Sequence, residues 1–232
     1  MTYLTSCLGL LIAASTGCGL ISSDVTNFDL TLPDKNFSID TAGWQIDAAQ
    51  AQTLLNTPCG GAPTVCNTAA QQACDMNCSG MCNASQRCEL QLDVSLYQAV
   101  NLLAEKPELK SINDQPVIKV TIDSVTYDVR TNTLNVATPE LKLFVAPMSV
   151  MDPKSAEAIE IGTIPPVEAG ATATQQMIQF TAEGRARLIS VMSTFKTPFN
   201  VIVGSTLTVT AGQQVPSGKL DAVLHIRAHA GI

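Results

Sequence analysis

The stretch IKVTIDSVTYDV, residues 118–129, carries the clearest strand pattern in the chain. Its apolar side chains alternate with polar ones up to Ile122 and again from Val125, but the register slips by one residue between them. A half-buried strand keeps every second side chain on its apolar face, so an uncorrected slip would turn half of that face toward water. The stretch therefore predicts one strand with a β-bulge near Asp123 and Ser124.

Similar alternation recurs on both sides of this stretch. Further strands are predicted where apolar residues occupy every second position: Phe28 to Leu32, Phe37 to Ile39, Leu90 to Leu96, Leu141 to Val145, 199–210 and 219–229. Residues 130–133 are expected to turn the chain into another strand at Leu134 and Val136, and residues 152–170 to form mostly a long surface connection. Many short strands and few helices predict a mainly β fold, either an antiparallel β-sandwich or an open barrel.

Two segments break the strand pattern and are predicted to be helical. Residues 45–56 form the first and lead into a cysteine-rich segment. A second helix, capped by Thr181 and stopped by Pro198, is expected from one apolar stripe: Leu188, Val191, Met192 and Phe195. This second helix is expected to cover the sheets.

Composition limits the classes of protein to which the chain can belong. With 232 residues, 46% of them hydrophobic and 14% charged, it has enough apolar material for a core and too little charge for a disordered chain. The formal net charge is -7 and no cluster of Lys and Arg is present, whereas nucleic-acid binding requires a basic face. We therefore expect no nucleic-acid partner.

The N-terminus has the pattern of a targeting segment. Residues 8–14 are an uncharged apolar run that ends in small residues. The run is too short to span a bilayer, which takes about 20 apolar residues, but it has the length of a signal-peptide core. Ordinary secretion with cleavage near Ala14 or Gly17 is one interpretation, and a buried N-terminal helix is another.

A third interpretation comes from the residues that follow the run. Ser15-Thr16-Gly17-Cys18 resembles the lipobox of bacterial lipoprotein precursors, in which small residues precede a cysteine that becomes the lipidated first residue. The resemblance implies that Cys18 carries the lipid, that residues 1–17 are a signal peptide, and that Gly19 permits transfer to the outer membrane. Cys7 has a similar local pattern, but only six residues precede it.

The remaining cysteines are concentrated in one segment. Of eight cysteines in the chain, six lie within residues 59–88: Cys59, Cys66, Cys74, Cys78, Cys82 and Cys88. In an exported chain this density predicts disulfides in an insert that has few large apolar side chains, although 15 pairings of six cysteines are possible. Zinc is the alternative, but the segment has no C-x2-C pair and no nearby histidine. The spacing of Cys74, Cys78 and Cys82 also fits a short helix.

A weak calcium candidate overlaps the cysteine segment. Asp75, Asn77 and Ser79, followed by Gly80, resemble the opening of an EF-hand loop. The position that should carry a bidentate glutamate is Gln86, which is neutral. A polar turn between disulfides explains the same residues, so we expect no metal or other cofactor.

Candidate catalytic residues do not form a known pattern. Ser193 and Lys196 match S-x-x-K and resemble the nucleophile motif of serine β-lactamases, but no S-D-N or K-T-G motif follows. His225 and His229 are the only histidines, and on one strand they would be about 13 Å apart, too far to share a metal ion. Carboxylates such as Asp123 are expected to face outward from strands as single groups, and nothing in the sequence marks a pair that could act as acid and base. We therefore expect no enzyme activity.

The predicted organisation is a signal peptide (1–17), a lipidated N-terminus with the first strands and a short helix (18–58), a disulfide-rich insert (59–88) and the main β domain (89–232). This layout resembles uncharacterised secreted lipoproteins of deltaproteobacterial type over residues 15–90, a resemblance that implies no activity. The expected role is a non-enzymatic envelope lipoprotein, anchored in the membrane by its lipid, that serves as a structural or protein-interaction module. A carrier of an apolar ligand and a hydrolase with a dispersed site are the alternatives.

Overall fold

The computed structural model describes residues 27–60, 62–112 and 119–231. Within these residues the protein is mainly β, with 44% strand and 21% helix, and its strands form two antiparallel sheets that do not close into a barrel. The mainly β, sandwich-like architecture predicted from the alternating segments is therefore confirmed.

The described residues form eleven strands and four helices. The strands are β1 (Asn27–Asp29), β2 (Lys35–Asp40), β3 (Cys78–Cys82), β4 (Cys88–Val100), β5 (Lys119–Asn132), β6 (Leu141–Pro147), β7 (Ile159–Ile164), β8 (Ala173–Met177), β9 (Gln179–Phe180), β10 (Phe199–Val209) and β11 (Lys219–Gly231). The helices are α1 (Ala48–Asn56), α2 (Pro63–Ala73), α3 (Leu102–Glu105) and α4 (Gly184–Ser193). Short 3-10 helices cover Thr41–Trp44 and Pro107–Ile112.

Each sheet is built around one long antiparallel pair. In the first sheet β11 pairs with β5 on one side, and with β1 and β2 at its two ends on the other, while β8 lies at the edge beyond β5. The second sheet has the order β3-β4-β10-β6-β7-β9. Alternation directs one set of side chains from each sheet into a shared core, to which β11 contributes Leu220, Leu224, Ile226, Ala228 and Ala230.

The β-bulge predicted from the register slip is confirmed. In the ladder of β5 and β11, Ile122 pairs with Ala228 and Ser124 pairs with Arg227, so Asp123 has no partner. This extra residue returns Val125 and its neighbours to the apolar face. A second register shift lies near the end of β5, around Arg130.

The cysteine-rich segment is continuous with the second sheet. Strand β3 pairs with the first part of β4, and helix α2 packs on this hairpin. Four of the cysteines are buried within the main hydrophobic cluster of the protein: Cys59, Cys66, Cys74 and Cys88. The segment therefore shares a core with the β domain.

The first predicted helix is shorter at its start than residues 45–56. Helix α1 begins at Ala48 because the Asp47 carboxylate accepts hydrogen bonds from the backbone N–H groups of Ala49 (2.9 Å) and Gln50 (3.0 Å). Gln45 lies in the left-handed region with φ of 50°, which ends the preceding 3-10 helix.

The second predicted helix starts three residues after its expected cap. Thr181 does not cap α4, which begins at Gly184 after Glu183 and has no side-chain cap. The backbone N–H of Gly184 instead bonds to the Thr181 carbonyl, and a Cβ at Gly184 would collide with the carbonyl oxygen of Ile161. The predicted stripe is confirmed within the helix at Leu188 and Met192, which are buried, but α4 ends at Ser193 and does not continue to Pro198, so the buried Phe195 lies beyond it.

One other expectation about connections is wrong, and a second is only partly met. Residues 130–133 do not form a hairpin turn, since β5 continues to Asn132 and residues 133–140 are not a strand. Hydrogen bonds from Thr133 N to the Lys219 carbonyl and from Asn135 N to the Ser217 carbonyl hold this segment beside the start of β11. Within 152–170, strand β7 replaces part of the expected surface connection, because a register shift near Ile161 hides its alternation.

A loop covers part of the outer face of the second sheet. The buried Asn200 side chain donates hydrogen bonds to the carbonyls of Met148 (3.1 Å) and Val150 (2.8 Å). Gly204 leaves room for Pro153 to lie against β10, since a Cβ there would collide with the proline ring. None of the helices in the described part of the chain combines the length and apolar character needed to cross a bilayer.

Candidate functional site

The six clustered cysteines form three disulfides. Cys59 is bonded to Cys82, Cys66 to Cys88, and Cys74 to Cys78, with Cα–Cα distances of 5.8, 5.2 and 6.5 Å. These distances lie in the range that disulfide geometry requires. The prediction that these cysteines cross-link is therefore confirmed for the described residues.

Two of these disulfides touch each other. The sulfur atoms of Cys59, Cys66 and Cys88 lie within 4.8 Å of one another, and all three residues are buried. A zinc ion would need deprotonated, unbonded thiolates, whereas each of these sulfurs is already bonded to another sulfur. The cluster is therefore a packed pair of disulfides.

The short helix expected from the spacing of Cys74, Cys78 and Cys82 is not formed. Helix α2 ends at Ala73, and Cys78 and Cys82 lie at the two ends of strand β3. Asn77, with a left-handed φ of 57°, reverses the chain between the helix and the strand. The Cys74–Cys78 bond closes this turn.

The calcium candidates Asp75, Asn77 and Ser79 do not lie in an EF-hand loop. Ser79 is part of β3, where it pairs with Gln91 of β4, while Asp75 lies in the exposed turn. Gly80 does not serve as the turn glycine of an EF-hand loop. It is required for packing, because a Cβ there would collide with the carbonyl oxygen of Cys66 in α2. The glycine thus allows helix α2 to approach the β3–β4 hairpin. Cys18, the proposed lipidation site, lies outside the described residues.

A polar network that the sequence did not predict lies on the outer face of the first sheet. His225 of β11 is between two carboxylates, with Nδ1 2.7 Å from Asp34 Oδ1 and Nε2 3.2 Å from Asp128 Oδ2. Arg130 pairs with the other oxygen of Asp34 at 3.5 Å, and the backbone N–H of Gln175 donates to Asp128 Oδ1 at 2.6 Å. We call these five residues the His225 network.

The His225 network joins four parts of the first sheet. It links the turn before β2 with β11, β5 and the edge strand β8. The N–H of Gln175 holds the pKa of the Asp128 carboxyl below its usual range, with further lowering by His225 and Arg130. Both ring nitrogens of His225 thus face carboxylate oxygens.

A groove of about 370 Å³ lies beside this network, and we call it the outer groove. Strands β5, β8 and β11 supply its lining: Ser124, Thr126, Asp128, Gln175, Met177, His225 and Arg227. One further pair lies along β11, where His229 Nδ1 is 2.9 Å from Asp123 Oδ1. Both histidines of the chain therefore lie on this face, His225 between two carboxylates and His229 beside one.

The remaining catalytic candidate is not supported by its surroundings. The Ser193 hydroxyl donates a hydrogen bond of 2.8 Å to the Ile189 carbonyl within α4, and the Lys196 side chain is exposed. Neither group contacts a base among the described residues, so this S-x-x-K match marks the end of a helix.

The site residues that the sequence did not reveal are those joined across strands. Asp128 and His225 are 97 positions apart, and only the register of β5 with β11 brings them together. The bulge at Asp123, which the sequence did indicate, places that residue beside His229. No protein-family model, curated protein or solved structure matches this chain.

Proposed function

We propose that the chain is an exported, non-enzymatic module of the bacterial cell envelope, held at the membrane by a lipid on Cys18. The observation that carries this proposal is the set of three disulfides within residues 59–88. Cytosolic thiols are kept reduced, whereas periplasmic and surface proteins retain their disulfides. A small cluster of six bonded cysteines thus favours an oxidising compartment.

The position of the first described strand fits a lipid anchor on Cys18. Strand β1 begins at Asn27, nine residues after this cysteine. A fully extended chain of this length reaches about 30 Å, so the lipid would keep the domain close to the bilayer surface.

A binding role suits the outer face of the first sheet better than a catalytic role. A general base needs a free acceptor atom for the proton it removes. Both ring nitrogens of His225 are already beside carboxylates, and the pKa of Asp128 is lowered, which favours the ionised form over a proton-donating acid. The His225 network therefore has the character of a fixed scaffold beside a groove.

The cavity between the sheets is too small for the apolar ligand that the alternative function requires. The cavity between the two sheets has a volume of about 30 Å³ and an entirely apolar lining that includes Phe37, Leu96 and Leu224. Pockets for small ligands measure about 300–1,000 Å³. A lipid chain would therefore require the two sheets to separate.

Membrane partitioning of two cysteine variants tests the proposal. Wild type, Cys18→Ala and Cys7→Ala would be produced in a Gram-negative bacterium and separated by detergent phase partitioning, with intact mass measured on each. We expect wild type and Cys7→Ala to enter the detergent phase with a lipid adduct on Cys18 and without residues 1–17. Cys18→Ala should lack the adduct. An unmodified wild-type protein in the aqueous phase, or an adduct retained in Cys18→Ala, would contradict the lipid anchor.

A further inference from the structure

The outer groove contains hydrogen-bond donors that the protein does not use. Among the described residues, the Arg227 guanidinium has no ion pair, and the hydroxyl groups of Ser124 and Thr126 have no hydrogen-bond partner. Arg227 is exposed, so its charge is presented to solvent. The guanidinium can only donate hydrogen bonds and the two hydroxyls can donate or accept them, so a ligand that supplies acceptor atoms would satisfy all three groups.

The strand register places the unused donors close together. Ser124 lies directly opposite Arg227 in the ladder of β5 and β11, and Thr126 lies opposite His225. Directly opposed residues on one face have Cβ atoms about 4.5–5.5 Å apart. The groove volume of about 370 Å³ also falls within the range of small-ligand pockets.

The carboxylate that lines the groove is already occupied. Asp128 receives the Gln175 N–H on one oxygen and faces the His225 ring with the other. Asp34 is similarly shared between His225 and Arg130, and Asp123 is paired with His229. Among the residues that line the groove, Arg227 is therefore the charged group without a described counter-ion, and a bound cation would be repelled by it.

We propose that the outer groove binds a small ligand through a carboxylate or phosphate group, with Arg227 as the main contact and Ser124 and Thr126 as additional donors. A guanidinium presents paired N–H groups that match the oxygens of either anion. Met177, 61% exposed at the edge of the groove, offers apolar contact to the remainder of the ligand. This site would give the proposed interaction module a specific ligand, but ligand binding requires neither the lipid nor export.

Nuclear magnetic resonance titrations of the ¹⁵N-labelled full-length protein test this site. The probes are inorganic phosphate and acetate, each compared with chloride at equal ionic strength. We expect saturable shifts in the backbone amides of Ser124 and Thr126 and in the Arg227 side chain. Tighter binding of phosphate would identify a phosphate ligand, and tighter binding of acetate a carboxylate ligand.

Two arginine variants separate a specific site from general charge attraction. Arg227→Gln should weaken phosphate or acetate binding by about tenfold, because a charge-assisted contact is lost. Arg187→Gln is the control, since Arg187 is exposed on α4 and paired with Glu183. Equal affinities of Arg227→Gln and wild type, or shifts spread over all surface lysines and arginines, would overturn the proposal. Such a failure would leave the Cys18 partitioning result unaffected.

Discussion

Cys82 lies directly opposite Cys88 in the ladder of β3 and β4, yet the two residues are not bonded to each other. Cys82 is bonded to Cys59, which precedes helix α2, and Cys88 is bonded to Cys66 within the helix. The two bonds therefore fasten the α2 segment to both strands of the hairpin. This attachment compensates for the shortage of large apolar side chains in residues 59–88.

Removal of the Cys66–Cys88 bond should destabilise the protein more than removal of the Cys74–Cys78 bond. The sequence separations are 22 and 4 residues, and a longer loop restricts the unfolded chain more. Chain entropy gives a loss of about 3 kcal/mol for Cys66→Ala/Cys88→Ala and about 2 kcal/mol for Cys74→Ala/Cys78→Ala. Urea unfolding without reductant measures both. Equal losses, or a larger loss for the shorter loop, would show that loop length does not set these contributions.

Gly80→Ala should lower the free energy of unfolding by about 1–3 kcal/mol, the usual cost of overpacking. Its new methyl group would collide with the Cys66 carbonyl, so α2 would have to move away from the hairpin. Gly43→Ala is the matched control, since a Cβ at Gly43 has no atom within 4 Å. Thermal or urea unfolding of both variants tests this contact. The account of the close approach fails if the two variants are equally stable.

Asn200→Ala should release the loop that covers the second sheet. The variant loses the hydrogen bonds to the Met148 and Val150 carbonyls and leaves both without this donor, at a cost of about 1–3 kcal/mol. Limited proteolysis should then cut within residues 148–158 faster than in wild type. Asn56→Ala, which removes an exposed hydrogen bond from α1, should leave that cleavage rate unchanged. Unchanged cleavage in Asn200→Ala would show that other contacts hold the loop.

Asp128→Asn should reduce stability at neutral pH and have less effect in acid. The Gln175 N–H, together with His225 and Arg130, lowers the folded-state pKa of Asp128. A carboxylate of this kind stabilises the fold above its unfolded pKa of about 3.9, and the contribution is lost as the pH falls through the lower, folded-state value. The difference between the urea midpoints of wild type and Asp128→Asn should therefore begin to shrink as the pH falls below about 4 and vanish below the folded-state pKa.

The control for this pH experiment is Asp75→Asn, because Asp75 lies in an exposed turn. Its urea midpoint should follow that of wild type throughout. If the urea midpoints of Asp128→Asn and wild type differed by the same amount from neutral to acid pH, the charge of Asp128 would not be the source of its contribution to stability.

Local periodicity was sufficient to predict the main strands of the fold. The alternation in β4, β5 and β11 reflects burial of one face of each strand, which is a property of consecutive residues. The bulge at Asp123 could be predicted for the same reason. Strand β8 could not, because its side chains are almost all exposed at a sheet edge and carry no apolar alternation.

The candidate site depends on contacts between distant positions, which periodicity does not report. Asp34 and His225 are 191 positions apart, and their contact follows from the pairing of β2 and β11 at one edge of the first sheet. The disulfide pairing has the same origin, since Cys82 and Cys88 take their places from the β3–β4 register. A sequence pattern could single out these residues as candidates, but it could not predict which of them contact each other.

The oxidation state of the cysteine segment tests the central claim most directly. The protein would be recovered from cell envelopes after alkylation of free thiols and mapped by mass spectrometry without reduction. We predict cross-linked peptides joining Cys59 to Cys82, Cys66 to Cys88 and Cys74 to Cys78, with none of these six cysteines alkylated. Recovery of the six as alkylated thiols, or as a zinc complex in a cytosolic fraction, would contradict both the proposed location and the stapled architecture.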